Sequence, residues 1–198
     1  MEALKQAFKK HGFELICVSN KEEALSVSMS FIKSGMSVGL GGSTTVAQIG
    51  LLDYVTSLKD ITLFNQYEKG ITMEENTHRR RQGMLADLYI CGTNALTKNG
   101  EIVNADGSGN RVAAQIFGPK KVLIITGKNK IVEDVAAGFK RIHDVASPKN
   151  IERMNNTAIA MGKAPRHTME NIGNKFAYID ADVEGRTTII LVDEDLGF

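Results

Sequence analysis

A loop rich in glycine and hydroxyl residues is the clearest candidate for ligand binding in the sequence. Gly41, Gly42, Ser43 and Thr44 lie where an apolar strand ends and a helical pattern begins. Glycines let a ligand approach the backbone, and free N–H groups at a helix start favour a phosphate or carboxylate. The loop lacks the Gly-Lys-Ser/Thr of a Walker A motif and the third glycine of the dinucleotide motif. Alternatively, Ser43 or Thr44 simply caps the helix.

A second polar loop, Asn104–Arg111, precedes another helical pattern. Asp106 is the candidate acid or base, and Arg111 can bind a carboxylate through two N–H groups. A turn with a helix cap, in which Asp106 accepts hydrogen bonds from local amides, explains the same residues. Between Asp106 and Arg111, the candidate ligand-binding residues are Gly107, Ser108, Gly109 and Asn110.

Two further loops follow predicted strands. Gly92–Asn94 contributes Asn94, and Gly127–Lys130 contributes Lys130, which faces either a ligand or solvent. In open α/β sheets, ligands bind beyond the carboxyl ends of the strands. The sequence therefore predicts that the loops around residues 42, 94 and 109 converge on one positively charged cleft.

Three consecutive arginines, Arg79–Arg81, follow Glu74 and Glu75 on a predicted helix. Pairs four residues apart on a helix can form ion pairs, so this segment is typical of a solvated face. Because the three arginines point in different directions, the pattern leaves open which of them, if any, faces the cleft.

Other chemistries find little support in the sequence. The four histidines have no partner at metal-ligand spacing, and the two cysteines do not form a pair, so we expect no metal and no cofactor. No Gly-x-Ser-x-Gly motif indicates a nucleophile elbow. Classical hydrolase chemistry is therefore disfavoured.

Length and composition indicate one α/β domain over residues 1–198. The chain is 42% hydrophobic and carries a formal charge of +1, which gives no electrostatic argument for nucleic-acid binding. No apolar run is long enough to cross a bilayer, and the first ten residues lack the apolar core of a signal peptide. We therefore expect a cytoplasmic protein without a membrane partner; the sequence leaves a homo-oligomer open.

Short apolar runs alternate with helical patterns, which predicts a mainly parallel, Rossmann-like sheet flanked by helices. An Asn99-Gly100 turn predicts a β-hairpin insert. Apolar residues from Val46 to Val55 predict one helix, and Val132 to Ile142 another. Residues 155–174 lose the pattern and are predicted to form a long loop. The predicted strands are Leu15–Val18, Ser37–Leu40, Ile61–Phe64, Leu88–Cys91, Val122–Thr126 and Thr188–Val192.

Several motifs occur in a fixed order along the chain: Gly41–Thr45, Ala86–Thr97, Asn104–Val112, Phe117–Val122, Gly127–Val132 and Leu191–Phe198. In this combination the chain resembles the lactate-utilisation (LUD) domain family. The resemblance implies a fold similar to those of ribose-phosphate isomerases and CoA transferases. It also implies a role in oxidising lactate to pyruvate, beside partner subunits that hold iron–sulfur clusters.

Two departures limit what the resemblance implies. In the isomerases, the loop resembling Asp106-Gly107 continues with acidic residues, whereas this chain has Asn110 and Arg111. Many relatives carry a cysteine cluster within the segment resembling residues 157–174, and this segment has no cysteine. A sugar-phosphate isomerase mechanism, and a metal or redox centre in that segment, are therefore not expected.

Three functional hypotheses follow. The first is a domain that binds a small anionic metabolite, a carboxylate or phosphate ester, in the glycine-rich cleft. The second is an accessory subunit that docks to an iron–sulfur partner. The third and weakest is an isomerase or an acyl/CoA transferase. The first predicts that anions raise the melting temperature of the protein.

Overall fold

A computed structural model describes residues 1–198. None of the helices has the length and apolar character needed to cross a bilayer. The helices are α1 (Glu2–Lys10), α2 (Lys21–Met29), α3 (Thr44–Gln48), α4 (Leu51–Ser57), α5 (Met73–Gly83), α6 (Asn110–Ile116), α7 (Val135–Arg141) and α8 (Ser147–Ala160). The strands are β1 (Glu14–Val18), β2 (Ser37–Leu40), β3 (Thr62–Phe64), β4 (Leu88–Gly92), β5 (Ala95–Thr97), β6 (Ile102–Asp106), β7 (Lys121–Gly127), β8 (Ile131–Val132), β9 (Lys175–Ile179) and β10 (Thr187–Val192).

Six strands form a wholly parallel sheet in the order β1-β10-β7-β4-β2-β3. All six strands predicted from the sequence are present, and the predicted fold class, a mainly parallel sheet flanked by helices, is confirmed. Successive residues of a strand face opposite sides of the sheet. Ile190 and Val192 therefore join the core beneath α2, α3 and α4, whereas Ile189 and Leu191 join the core beneath α1 and α6. Burial on both faces explains why the strands are apolar throughout.

The predicted hairpin is present, and it belongs to a second sheet. Strands β5 and β6 pair antiparallel, with β8 and β9 added at the edges. Of the two turn residues only Gly100 has a positive φ, at +98°, so the turn differs from the tight type that needs a positive φ at both positions. Leu96 and Ile102 of this hairpin pack on the same face of the parallel sheet as Phe8. The second sheet therefore covers part of that face.

Two helix predictions need correction. The helix expected from Val46 to Val55 is divided into α3 and α4, because Gly50 adopts a left-handed φ of +79° between them. Val132 was predicted to share a helical stripe with Ile142, but it lies in β8 and pairs with Thr97. Because Val132 pairs with the hairpin as part of β8, the helix α7 begins only after it, at Val135.

A nearly continuous helical segment runs from α7 through a π-helical turn, Ile142–Ala146, into α8. Pro148 follows this turn at the start of α8. Proline lacks an N–H group and crowds the carbonyl four residues earlier, and a wider turn accommodates both effects. The prediction of a loop over residues 155–174 is therefore wrong as far as Ala160, and right for residues 161–174, which form no helix or strand.

Candidate functional site

A cleft of about 460 Å³ lies at the carboxyl ends of β2, β4 and β6. The loops after these strands line it together, as the sequence predicted for the regions around residues 42 and 94. The π-helical turn and α8 also contribute residues to its lining. Eight of the predicted site residues line the cleft: Gly42, Ser43, Thr44, Asn94, Asp106, Gly107, Arg111 and Lys130.

The other four predicted residues, Gly41, Ser108, Gly109 and Asn110, do not line the cleft, so the prediction is wrong for the region around residue 109. Gly41 is buried, and its carbonyl oxygen accepts a hydrogen bond from the Tyr67 hydroxyl group. Ser108 Oγ accepts a hydrogen bond from an arginine of α5, and Asn110 donates one to the Tyr89 hydroxyl oxygen. Gly109 has a left-handed φ of +94° at the start of α6. Thus the part of the second loop that faces the cleft is Asp106-Gly107.

Both polar loops cap the helices that follow them. Ser43 Oγ accepts a hydrogen bond from the N–H of Val46, 3.2 Å away. Asp106 Oδ2 accepts from the N–H groups of Arg111 at 3.0 Å and Val112 at 3.4 Å. The alternative of helix caps is therefore present in both loops, although Ser43 and Asp106 also line the cleft. The role of Asp106 as acid or base stays a prediction.

The Arg111 guanidinium group of α6 joins the end of β4 and the loop after it to β6. Nη1 donates to the Gly92 carbonyl at 3.1 Å and to Asn104 Oδ1 at 2.6 Å. Nη2 donates to Asn94 Oδ1 at 2.8 Å and to the Ala105 carbonyl at 2.7 Å. These bonds use four of its five N–H groups, so the predicted two-pronged grip on a carboxylate is not available in this arrangement. Arg111 contributes its charge, and Nε is the donor without a protein partner.

Three cations bind three successive backbone carbonyl oxygens, and two of them, Arg111 and Lys130, line the cleft. Arg111 binds the carbonyl of Gly92, Lys130 Nζ binds that of Thr93 at 3.1 Å, and Arg141 Nη1 binds that of Asn94 at 2.6 Å. Burial, together with the charges of Arg141 and Arg111, lowers the pKa of Lys130 to about 7. Burial also lowers the pKa of Arg141. None of the ion pairs of the chain involves these three side chains.

The structure decides among the three consecutive arginines of α5. Arg79 is paired with Glu75 and Glu68, and Arg81 is exposed. Arg80 lines the cleft, and its Nη1 donates to Ser108 Oγ at 2.8 Å. Its buried Nε has no hydrogen-bond partner. Sequence spacing alone could not select Arg80, because the choice depends on how α5 packs against the sheet.

Sequence reasoning missed two further contributors to the lining. Tyr67 lines the cleft beside the Gly41–Thr44 loop; its hydroxyl oxygen accepts a hydrogen bond from Ser43 N at 3.3 Å, and burial raises the pKa of its hydroxyl group. Helix α8 contributes Asn150, Arg153 and Met154. Their spacing of three and four residues marks one helical face and was a usable signal, but no helix was predicted over these residues.

The charge of the lining is strongly asymmetric. Four cationic residues line the cleft, and Asp106 is its only acidic residue. No group of three or more histidine, cysteine, aspartate or glutamate side chains is arranged to hold a metal ion. The side chains and amides present are therefore suited to a small anion. The cationic lining residues are Arg80, Arg111, Lys130 and Arg153.

Comparison with known proteins identifies the family. The model of the LUD domain matches residues 1–192, nearly the whole chain. The chain belongs to the LUD-domain family. The match begins at residue 1, further toward the amino terminus than the motifs that first indicated the resemblance. No curated protein matches this LUD domain.

Solved structures similar to this LUD domain include a DUF162 family protein from Deinococcus radiodurans. It is 13% identical, with 96% of this chain and 94% of that chain covered and a TM-score of 0.49. Ribose 5-phosphate isomerase from Plasmodium falciparum is also 13% identical, with coverages of 90% and 95% and a TM-score of 0.42.

Proposed function

We propose that the cleft of this LUD domain binds a small metabolite that carries a carboxylate or phosphate group. The observation that carries the proposal is the arrangement of Arg111, Lys130 and Arg141 on three successive carbonyls without an acidic partner. Carbonyl oxygens satisfy some of their N–H groups but do not neutralise their charge.

Cations gathered without an acidic partner are electrostatically unfavourable for the protein. A buried ion without a partner costs several kcal/mol, and like charges beside it add to the cost. A bound anion offsets this cost, and its binding free energy includes the relief of repulsion between the cations. Charged groups without partners in a concave site are a physical indication of function.

The dimensions of the cleft fit a small ligand. A volume of about 460 Å³ falls in the range of small-molecule sites, roughly 300 to 1,000 Å³. Arg80 and Arg153 line it at α5 and α8, so charge comes from several sides. Family membership supports a lactate-utilisation-related role in general. Lactate and pyruvate are small carboxylates, and they are the first ligands to test, with Asp106 as the candidate acid or base.

Titration calorimetry with lactate, pyruvate and phosphate esters tests the proposal. We expect at least one to bind and to raise the melting temperature with concentration. Arg80→Gln removes a charge at the cleft and is expected to weaken binding about tenfold, which corresponds to roughly 1.4 kcal/mol. Arg81→Gln, which removes the same charge from an exposed neighbour, is the matched control and should bind normally.

Steric closure provides a second test. A Cβ atom on Gly42 would have no heavy atom closer than Tyr67 Oη at 3.8 Å. Gly42→Val therefore fills part of the cleft without disturbing the fold and should abolish binding, whereas Gly42→Ala should retain it. If no carboxylate or phosphate binds wild-type protein at millimolar concentration, the proposal is wrong, and an accessory-subunit role gains support.

A further inference from the structure

The Lys130 amine differs from every other amine of the chain. Lys130 is the only buried lysine, with 3% of its surface exposed, yet it lines the cleft. Its Nζ donates to Thr45 Oγ1 and to the Thr93 carbonyl, both at 3.1 Å. A lysine ammonium has three N–H groups, so one position on the nitrogen has no protein acceptor. The two hydrogen bonds fix the position of the nitrogen.

The surroundings of Lys130 favour a neutral amine. No carboxylate forms an ion pair with it, and Arg111 and Arg141 bind the carbonyls on either side of Thr93. Burial, Arg141 and Arg111 hold its pKa at about 7. An uncharged amine is the nucleophilic form of lysine, and desolvation beside another cation is a known way to obtain it.

We propose that Lys130 is a nucleophile that forms a reversible imine with a 2-oxo carboxylate bound in the cleft. The inference rests on the proposed function, since the anion site must bring the carbonyl carbon to Nζ. The Arg111 guanidinium group, held at the Gly92 carbonyl, is close enough to the amine held at the Thr93 carbonyl to lower the pKa of that amine. A carboxylate bonded directly to the reacting carbonyl carbon suits this short separation.

The step is balanced without an oxidant or reductant. The lone pair of the neutral amine forms a bond to the carbonyl carbon as the C=O π bond breaks, and one of the two amine protons moves from nitrogen to the carbonyl oxygen, which gives a neutral carbinolamine. Loss of the hydroxyl group with one proton from nitrogen releases water and leaves the imine. The carboxylate stays unchanged and keeps its interaction with the cations of the site.

Borohydride trapping of the full chain tests the proposal. The protein is incubated with pyruvate at pH 7, reduced, digested and analysed by mass spectrometry. At pH 7, the neutral fraction of Lys130 exceeds that of an ordinary lysine by about 1,000-fold, so we expect one predominant adduct at this residue. Acetone, which has the carbonyl group without the carboxylate, should label it much more slowly.

Matched variants locate the reaction. Lys130→Arg keeps a positive charge but cannot form the imine, and it should eliminate the adduct. Lys128→Arg changes an exposed lysine that is paired with Asp193, and it should leave the adduct unchanged. Mapping of the adduct in wild-type protein needs no variant, so a variant that fails to fold does not affect the result. Absence of an adduct on Lys130, or labelling spread evenly over exposed lysines, would overturn the proposal.

Lactate separates the two proposals, because it carries the carboxylate but no carbonyl group. If lactate and pyruvate bind and pyruvate gives no adduct, the imine is refuted and the anion site stands. If neither ligand binds and no adduct forms, the imine is refuted; if phosphate esters do not bind either, the anion site is refuted as well. Binding of both, with an adduct only from pyruvate, supports both.

Discussion

Replacing Lys130 with methionine should change how the stability of the protein depends on pH. The folded structure lowers the pKa of Lys130 from 10.5 to about 7. One pKa unit corresponds to about 1.36 kcal/mol, so the fold disfavours the charged amine by about 5 kcal/mol. Below about pH 7 the wild-type protein bears this whole cost, because both folded and unfolded chains are protonated.

The sign of the pH effect follows from proton binding. Between about pH 7 and 10.5 the unfolded chain holds a proton on Lys130 that the folded chain has lost. The free energy of unfolding of the wild type should therefore rise with pH in this window, by about 1.4 kcal/mol per pH unit from this residue. The groups that face Lys130 are Arg111 on α6, Arg141 on α7 and the Thr45 hydroxyl on α3.

Lys130→Met keeps a long side chain and removes the charge. It also removes the two hydrogen bonds of Nζ, at about 1 kcal/mol each. Near pH 6.5 the variant should be more stable than the wild type by about 3 kcal/mol, and near pH 9 about equally stable. Urea unfolding in zwitterionic buffers between these pH values measures the difference; phosphate is avoided because the cleft is expected to bind it.

Lys128→Met is the control. Lys128 lies only two residues before Lys130 in the chain, but it is exposed and paired with Asp193. The stability of this variant should run parallel to that of the wild type between pH 6.5 and 9. Other titrating groups, including the cysteines and tyrosines, cancel when variant and wild type are compared at each pH. If the Lys130→Met curve also runs parallel to the wild type, the amine has an ordinary pKa and the argument from burial is wrong.

Three further predictions concern stability and reactivity. Arg111→Met should lower the free energy of unfolding by about 3 to 5 kcal/mol in urea titrations, because it removes four hydrogen bonds that join the site loops; a loss below 1 kcal/mol would contradict this role. Gly100→Ala should destabilise the hairpin by at least about 1 to 3 kcal/mol, since φ is +98° and a Cβ would lie 2.6 Å from the Ala7 backbone; an unchanged melting temperature would refute it. Burial raises the pKa of Cys91 to about 11, so a thiol reagent should modify Cys17 in native protein and Cys91 only after unfolding; equal rates in native protein would count against this burial.

Sequence periodicity predicted most of the fold. The strands of the parallel sheet are short, apolar runs because both faces are buried, and this local property is visible along the chain. The Asn99-Gly100 turn predicted the hairpin, but it could not predict that β8 and β9 would extend it into a sheet, because their pairing joins distant segments. The loop predicted over residues 155–174 was wrong as far as Ala160, since α8 continues to that residue with a mostly exposed pattern, and right for residues 161–174.

The sequence predicted which loops form the candidate site, but not which arginine holds the site together and which one lines the cleft. Glycine-rich and polar loops at strand ends have a local signature, and the topology of a parallel sheet brings them together. Arg111 donates hydrogen bonds to carbonyl and amide oxygens around it, whereas Arg80 lines the cleft. These roles depend on which oxygen atoms lie within reach of each guanidinium group. Such contacts join residues far apart in the chain, so no local pattern encodes them.

The amino-acid sequence by itself determined the class of the fold, the family and the loops that form the cleft, because these depend on periodicity, composition and motif order. Only the tertiary structure decided the chemistry of Lys130. Its lowered pKa arises from burial and from the charges of Arg141 and Arg111, all contributed by elements that meet only when the chain has folded. An isolated lysine in the sequence carries no sign of such an environment, because desolvation and charge repulsion act through space.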